Sequence, residues 1–175
     1  MSRRWWRLIP AAAALGVDAA SKAWARSTLS HAGTVWLWRP WLSLRLVYNA
    51  GATLGVGADH SRLITLLSAL AVGALVVLVL RCERGSAGLV LMLGGAAGNL
   101  SSRLSQGVVT DFIHVWFWPG IFNLADVFLR VGAVILAWSI LQGELAMRGR
   151  EAPRPNRPVP SQGMVARAER SWDGR

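Results

Sequence analysis

LITLLSALAVGALVVLVL, residues 63–80, runs eighteen residues without a charge. A helix crosses a bilayer with roughly 20 mostly apolar residues, so this stretch decides the class: an integral membrane protein, not a soluble globule. Three other stretches approach the same standard. Residues 8–25 carry Asp18 and Lys22, residues 88–104 are rich in small side chains and carry Asn99 and Arg103, and residues 122–141 open on Asp126 and Arg130. Composition agrees: 53% of the 175 residues are apolar and 16% are charged, against about 25% charged in an average soluble domain. The expected fold is therefore all-α, with four transmembrane helices. An even number of spans puts both termini on one side.

Nineteen Lys and Arg against nine Asp and Glu give a net charge of +10, and seven of those arginines lie beyond residue 147. The cations collect at the edges, with no folded basic face carrying stacking aromatics, so anionic lipid is the expected counter-charge and nucleic acid is not. Twelve basic residues flank the side that holds the termini and six the other, which makes the termini cytoplasmic. Ser2-Arg3-Arg4-Trp5-Trp6-Arg7 also has the look of an export signal, but three further spans argue against a cleaved soluble product. The single Cys82 excludes an internal disulfide or a cysteine cluster, and His31, His60 and His114 have no ligand spacing. No metal or cofactor is implied.

The outer loop 27–61 is long enough to hold structure. Leu42, Leu44 and Leu46 alternate with Ser43 and Arg45, a strand period, so a small extracytoplasmic β region is expected over about 34–49. Trp36, Trp38, Trp41, Trp116 and Trp118 fall in the outer loops and are read first as an aromatic belt at headgroup level. Residues 1–147 form the membrane domain. The basic, Pro-containing residues 148–175 have no apolar period and read as a disordered cytoplasmic tail.

Ionisable groups inside spans are costly enough to mark function. If the first and fourth spans run antiparallel, Asp18, Lys22, Asn49, Asn99, Arg103, Asp111, Asn123 and Asp126 fall in one layer near the outer surface. Asp18 and Lys22, spaced i,i+4, can pair locally. Asn99 and Asn123 can serve as helix-end or interhelical hydrogen-bonding residues, and Gly94 with Gly98 is a small-xxx-small packing pattern. Asp111 and Asp126 have no Lys or Arg within three residues, although Arg130 is one turn past Asp126. Two carboxylates at one apolar depth tend to share a proton. One can take a proton from water while the other hydrogen-bonds a carbonyl under attack, which is peptide hydrolysis; the pair could equally serve a proton or cation pathway.

In order along residues 8–142, Asp18 with Lys22, Asn49-Ala50-Gly51-Ala52, Gly94-Gly95-Ala96-Ala97-Gly98-Asn99 with Arg103, Val109-Thr110-Asp111-Phe112-Ile113 and Phe122-Asn123-Leu124-Ala125-Asp126 resemble the motifs of signal peptidase II, the lipoprotein signal peptidase family. The resemblance implies four helices with an outer β cradle and a catalytic dyad of Asp111 and Asp126. It also implies Asp18, Lys22, Asn49, Gly51, Asn99, Arg103 and Asn123 as supporting or substrate-binding residues. The implied activity is intramembrane aspartic cleavage of diacylglyceryl-modified prolipoproteins before the lipidated cysteine. The implied setting is the bacterial inner membrane, with lipid as neighbour and the enzyme expected as a monomer. A non-catalytic lipoprotein-binding relative is the alternative; a small proton or cation transporter is disfavoured, because spans two and three carry no ionisable residue in their inner halves. The chain departs from the family pattern at Ser102, where an acidic residue is usual beside Arg103, and at Thr53 and Leu54. Loss of that acid is expected to free Arg103 to pair with Asp111.

Overall fold

The computed structural model describes residues 5–52, 56–82 and 86–151. Four long helices carry the chain: α1 Ile9–Leu29, α2 Ser61–Arg81, α3 Ser86–Gln106 and α4 Leu124–Glu151. Between them lie four antiparallel strands in the order β1 Thr34–Trp38, β2 Leu42–Asn49, β3 Val109–Val115 and β4 Ile121–Phe122. The compact unit ends at Leu141, and a second unit begins at Gln142 and is helical where described. Most of the expected tail, residues 152–175, and Thr53 with Leu54 lie outside the described residues.

Two helical segments, Ala58–Arg81 and Leu124–Gly143, are long and apolar enough to cross a membrane. Each presents a broad exposed apolar face: Leu63, Leu66, Leu67 and Leu70 on α2, and Val131, Val134, Trp138 and Ile140 on α4. Contiguous apolar surface on that scale belongs against lipid or a partner. α1 and α3 match them in length, at 21 residues each, but carry buried polar groups, Asp18 and Lys22 on α1 and Asn99 and Ser102 on α3. α1 also runs one turn past the expected end, through Arg26 to Leu29. Its last turn buries Ala25 and Leu29 against Phe112 of β3, and the guanidinium of Arg26 donates to the Thr110 hydroxyl at 3.1 Å.

The sheet is larger than the expected 34–49 region, because β3 and β4 come from the second outer loop. β3 escaped the periodicity argument for a physical reason. Val109, Thr110, Asp111 and Phe112 are all buried, and a strand covered on both faces shows no polar alternation. Ser43 likewise breaks the expected pattern on β2. It is buried rather than outward-facing, its hydroxyl 3.3 Å from Nδ1 of His114 on the neighbouring strand, and the β2–β3 register shifts between Leu44 and Val47.

Helix α3 is the hub, and glycines set its distance from its neighbours. A Cβ on Gly94 would meet the Ala14 side chain of α1 at 2.6 Å, one on Gly98 would collide with the Asp18 carboxylate, and one on Gly88 would meet the Gly132 carbonyl of α4 at 2.6 Å. Gly94 and Gly98 thus bring α1 close to α3, and Gly88 and Gly95 bring α4 close on a neighbouring face, where close backbone approach replaces hydrophobic driving force. Gly16, on α1, has nothing within 4 Å. Gly98→Val is expected to lower the thermal unfolding midpoint in detergent, at a cost of about 1–3 kcal/mol for overpacking. Gly16→Ala should leave that midpoint unchanged or raise it slightly, since Ala is the better helix former by about 1 kcal/mol.

Candidate active site

Construction of the site starts at the beginning of α4. Asn123 is its N-cap: Asn123 Oδ1 accepts from the Asp126 backbone N–H at 3.1 Å, and Asp126 Oδ2 accepts from the Asn123 backbone N–H at 3.3 Å. This reciprocal pattern is a capping box, with an aspartate in the third helical position. Asp18 of α1 adds a second cap, its Oδ1 accepting from the Ala125 N–H at 2.9 Å. Three of the helix's otherwise orphaned N–H groups, or of the turn leading into it, are thereby satisfied by side chains.

From there the hydrogen bonds form one connected layer. Asn123, fully buried, donates through Nδ2 to Asp111 Oδ1 at 2.6 Å and to Asn99 Oδ1 at 3.1 Å. Asn99 donates in turn to Asp126 Oδ1 at 2.9 Å. Lys22 forms an ion pair with Asp18 at 2.7 Å and donates to Asn99 Oδ1 at 2.9 Å. On the other side, Asn49 donates to Asp111 Oδ2 at 3.1 Å and to the Ala52 carbonyl at 3.1 Å, while its Oδ1 accepts from the Gly51 N–H. Asp111 and Asp126 are therefore joined through two asparagines, and every oxygen of both has a donor. Each Asn supplies donor and acceptor at once, from the two ends of its amide.

Arg103 takes a different partner from the one expected. Its Nη2 donates to the Gly51 carbonyl at 3.0 Å, so the guanidinium clamps the Asn49–Ala52 turn instead of pairing with Asp111. Its Nε is buried and has no hydrogen-bond partner among the described residues. Ser102 is buried, and its hydroxyl donates back to the Gly98 carbonyl one turn earlier at 3.1 Å. A back-bonding hydroxyl satisfies itself within the helix.

Both carboxylates line one cavity of about 620 Å³ between α2, α3 and α4. Its far wall is apolar, formed by Leu67, Ala71, Leu75 and Leu78 of α2 with Met92 and Ala96 of α3. The chamber thus has a polar end holding two acids and an apolar groove leading away from them.

The sequence pattern of signal peptidase (SPase) II matches residues 10–142. The chain belongs to the signal peptidase II family. A lipoprotein signal peptidase of Bifidobacterium longum subsp. infantis is 39% identical over 142 residues, 77% of this chain and 77% of its own. Those of Rhodococcus jostii and Pseudomonas paraeruginosa are 36% and 38% identical, covering 81% and 73% of this chain and 75% and 83% of theirs. A solved bacterial membrane enzyme shares the fold with a TM-score of 0.73, over 86% of this chain and 94% of its own at 20% identity. A second gives 0.68 over 77% and 92% at 22% identity. The family's activity is hydrolytic removal of signal peptides from prolipoproteins, so the chain is an aspartic-type membrane peptidase.

All nine residues singled out in the sequence meet around this signal peptidase II cavity or in the hydrogen-bond layer beside it. Sequence reasoning undervalued one group. Trp118, read as part of an aromatic belt, lines the cavity, and with Phe122 it receives the guanidinium of Arg130, 5.2 and 5.3 Å from the two ring centroids. The one available signal was the position of Arg130, four residues past Asp126 in an otherwise apolar span.

Burial on β3 pushes the Asp111 carboxyl up from its usual 3.8 to about 6. The neighbouring Asp126 charge adds to that rise, while the amides of Asn49 and Asn123 and the Lys22 ammonium oppose it. Since the folded value lies above the ordinary one, ionising Asp111 weakens the fold as pH rises through about 6, and below 3.8 that penalty vanishes. Removing a donor that favours the charged form must raise the value further. Asn49→Leu is expected to move the Asp111 titration upward from about 6, followed by the carboxyl carbon shift of selectively labelled protein; a downward move would contradict the assigned donor.

Proposed function

We propose that this chain cleaves diacylglyceryl-modified prolipoproteins immediately before the lipidated cysteine, with Asp111 and Asp126 as the catalytic dyad. The observation that carries this reading is the pair of carboxylates bridged by Asn99 and Asn123 at the polar end of a cavity whose other walls are apolar. One carboxylate accepts a proton from a water as it attacks the scissile carbonyl. The other, protonated, donates to the developing oxyanion; on collapse it takes that proton back, and the first carboxylate passes the proton from water to the leaving amine. Burial that raises the Asp111 value to about 6 favours a proton on that carboxyl at more neutral pH than an ordinary aspartate would hold one.

Asn99 and Asn123 hold the dyad, and the Asp18–Lys22 pair anchors Asn99 from behind. Asn49 and Gly51, fastened by Arg103 of α3, form a turn beside Asp111 suited to the substrate backbone. The apolar groove between α2 and α3 accommodates acyl chains. Every one of these groups comes from one chain, which supports action as a monomer with lipid as its neighbour.

In this reading all four long helices span the bacterial inner membrane, with both termini cytoplasmic and the sheet outside. The short polar layer in α1 and α3 is compensated internally, so each remains long enough, about 31 Å at 1.5 Å per residue, to cross about 30 Å of hydrocarbon. In a Cys82→Ser background, Ala58→Cys should react with an impermeant maleimide from outside and Ser161→Cys should not. The reverse labelling would place the dyad on the wrong face and overturn the proposal.

Asp111→Asn and Asp126→Asn should each abolish cleavage of a diacylglyceryl-modified prolipoprotein, by at least a thousandfold in kcat, while leaving the protein inserted. The amide keeps the volume but cannot take or give the proton, so the loss falls in chemistry and not in binding. A gel-shift assay in detergent reads this directly, and turnover near wild type in either variant would remove that residue from the dyad.

A further inference from the structure

Arg130 is a cation that the dyad's chemistry leaves unused. It lies on α4 four residues beyond Asp126, a rise of about 6 Å, and lines the same cavity. The i,i+4 spacing would allow an ion pair with Asp126, yet none forms. Both Asp126 oxygens are already taken, by Asn99 Nδ2 and by the Asn123 backbone N–H. What holds Arg130 instead is aromatic: its guanidinium carbon lies 5.2 Å from the Trp118 centroid and 5.3 Å from the Phe122 centroid. Rings attract the cation but accept none of its in-plane N–H groups well. Among the described residues no carboxylate lies within ion-pair distance of it, and no hydrogen-bond acceptor engages it.

A positioned, exposed guanidinium in an apolar segment needs an acceptor. Its place narrows the choice. The polar end of the cavity holds the two carboxylates, and the apolar groove of α2 and α3 begins beyond them. Whatever passes from one to the other crosses the level of Arg130. In the substrate class proposed above, the group found between a scissile peptide and two acyl chains is the glyceryl diester on the cysteine sulfur. Its two ester carbonyls are uncharged acceptors that can pair with a forked donor, a handful of bonds from the scissile carbon.

We propose that Arg130, held by Trp118 and Phe122, is a substrate-binding residue that donates hydrogen bonds to the ester carbonyls of the cysteine-linked diacylglyceryl group. The inference rests on the prolipoprotein reading, and it makes the enzyme selective for ester over ether lipid. Arg130 sits beside the reacting centre without entering it, so its effect falls on KM and not on kcat.

The test compares two synthetic lipobox peptides, one carrying diacylglyceryl cysteine and one its dialkyl ether analogue, in zwitterionic detergent free of anionic lipid. Wild type should show a KM about tenfold lower for the ester, the scale of one or two hydrogen bonds from a charged donor. Arg130→Gln should raise KM for the ester to the ether value, with kcat within about threefold, and Arg130→Lys should recover part of the difference. Equal KM values for ester and ether in wild type overturn the proposal without reference to any variant. An Arg130→Gln enzyme that keeps the wild-type preference overturns it too. If the variant's defect appears only in vesicles containing phosphatidylglycerol, Arg130 holds a lipid phosphate and the substrate contact is wrong. Failure of wild type to cleave either peptide would bring down the prolipoprotein reading itself, and this inference with it.

Discussion

The reciprocal cap between Asn123 and Asp126 is the constraint on which the rest of the site depends. It starts α4, and it fixes the rotamers of both side chains by using backbone N–H groups that any helix must satisfy. Asn123 is then left with one amide nitrogen, whose two hydrogens go to Asp111 and Asn99. A helix terminus, a β-strand and a second helix are tied together at one residue with no exposed surface. Without Asn123 the strand carboxylate and the helix carboxylate would have no common partner.

Burying such a layer is affordable only if it is nearly complete. An unpaired buried polar group costs about 1–3 kcal/mol and a buried charge more, so Lys22 and Asp18 are kept by mutual pairing and by one hydrogen bond each outward, to Asn99 and to Ala125. This demands short distances between α1, α3 and α4. Glycines supply them: Gly98 leaves room for the Asp18 carboxylate, and Gly95 leaves room for the Ala125 carbonyl. The packing pattern and the polar chemistry are thus one requirement expressed at two levels of structure.

The parts legible in the sequence were those that obey a single rule. Residues 63–80 fall within the apolar helical segment Ala58–Arg81, where nothing competes with hydrophobicity, and the alternation of Leu42, Leu44 and Leu46 marks a stretch that lies in β2. β3 was not legible in this way, because Thr110 and Asp111 are buried for the site's sake and erase the period that marks a strand. Arg103 and Ser102 could not be placed by charge arithmetic, since the winning partner of Arg103 is a backbone carbonyl, which carries no signature in the side-chain sequence. Trp118 was masked by a reading made for all the outer-loop tryptophans together, of which Trp38 and Trp116 are exposed. The Asn-x-x-Asp cap was visible in Phe122-Asn123-Leu124-Ala125-Asp126, but as a helix start. Its second use, as the bridge between two carboxylates, needed β3 beside it.

The two carboxylates are consequently held by different kinds of structure. Asp126 is bound by its own helix's cap and by Asn99 of α3, both parts of the packed helical body. Asp111 is bound by Asn123 from that same body, but also by Asn49, which closes an outer turn through Gly51 and Ala52. Arg103 reaches from α3 to fasten that turn by the Gly51 carbonyl. Any displacement of the turn, by substrate backbone competing for Arg103 or for the Asn49 amide, would therefore change the donors on Asp111 while leaving Asp126 as it was. Because a donor amide favours the ionised carboxyl, substrate entry at this turn has a direct physical route to the protonation of Asp111.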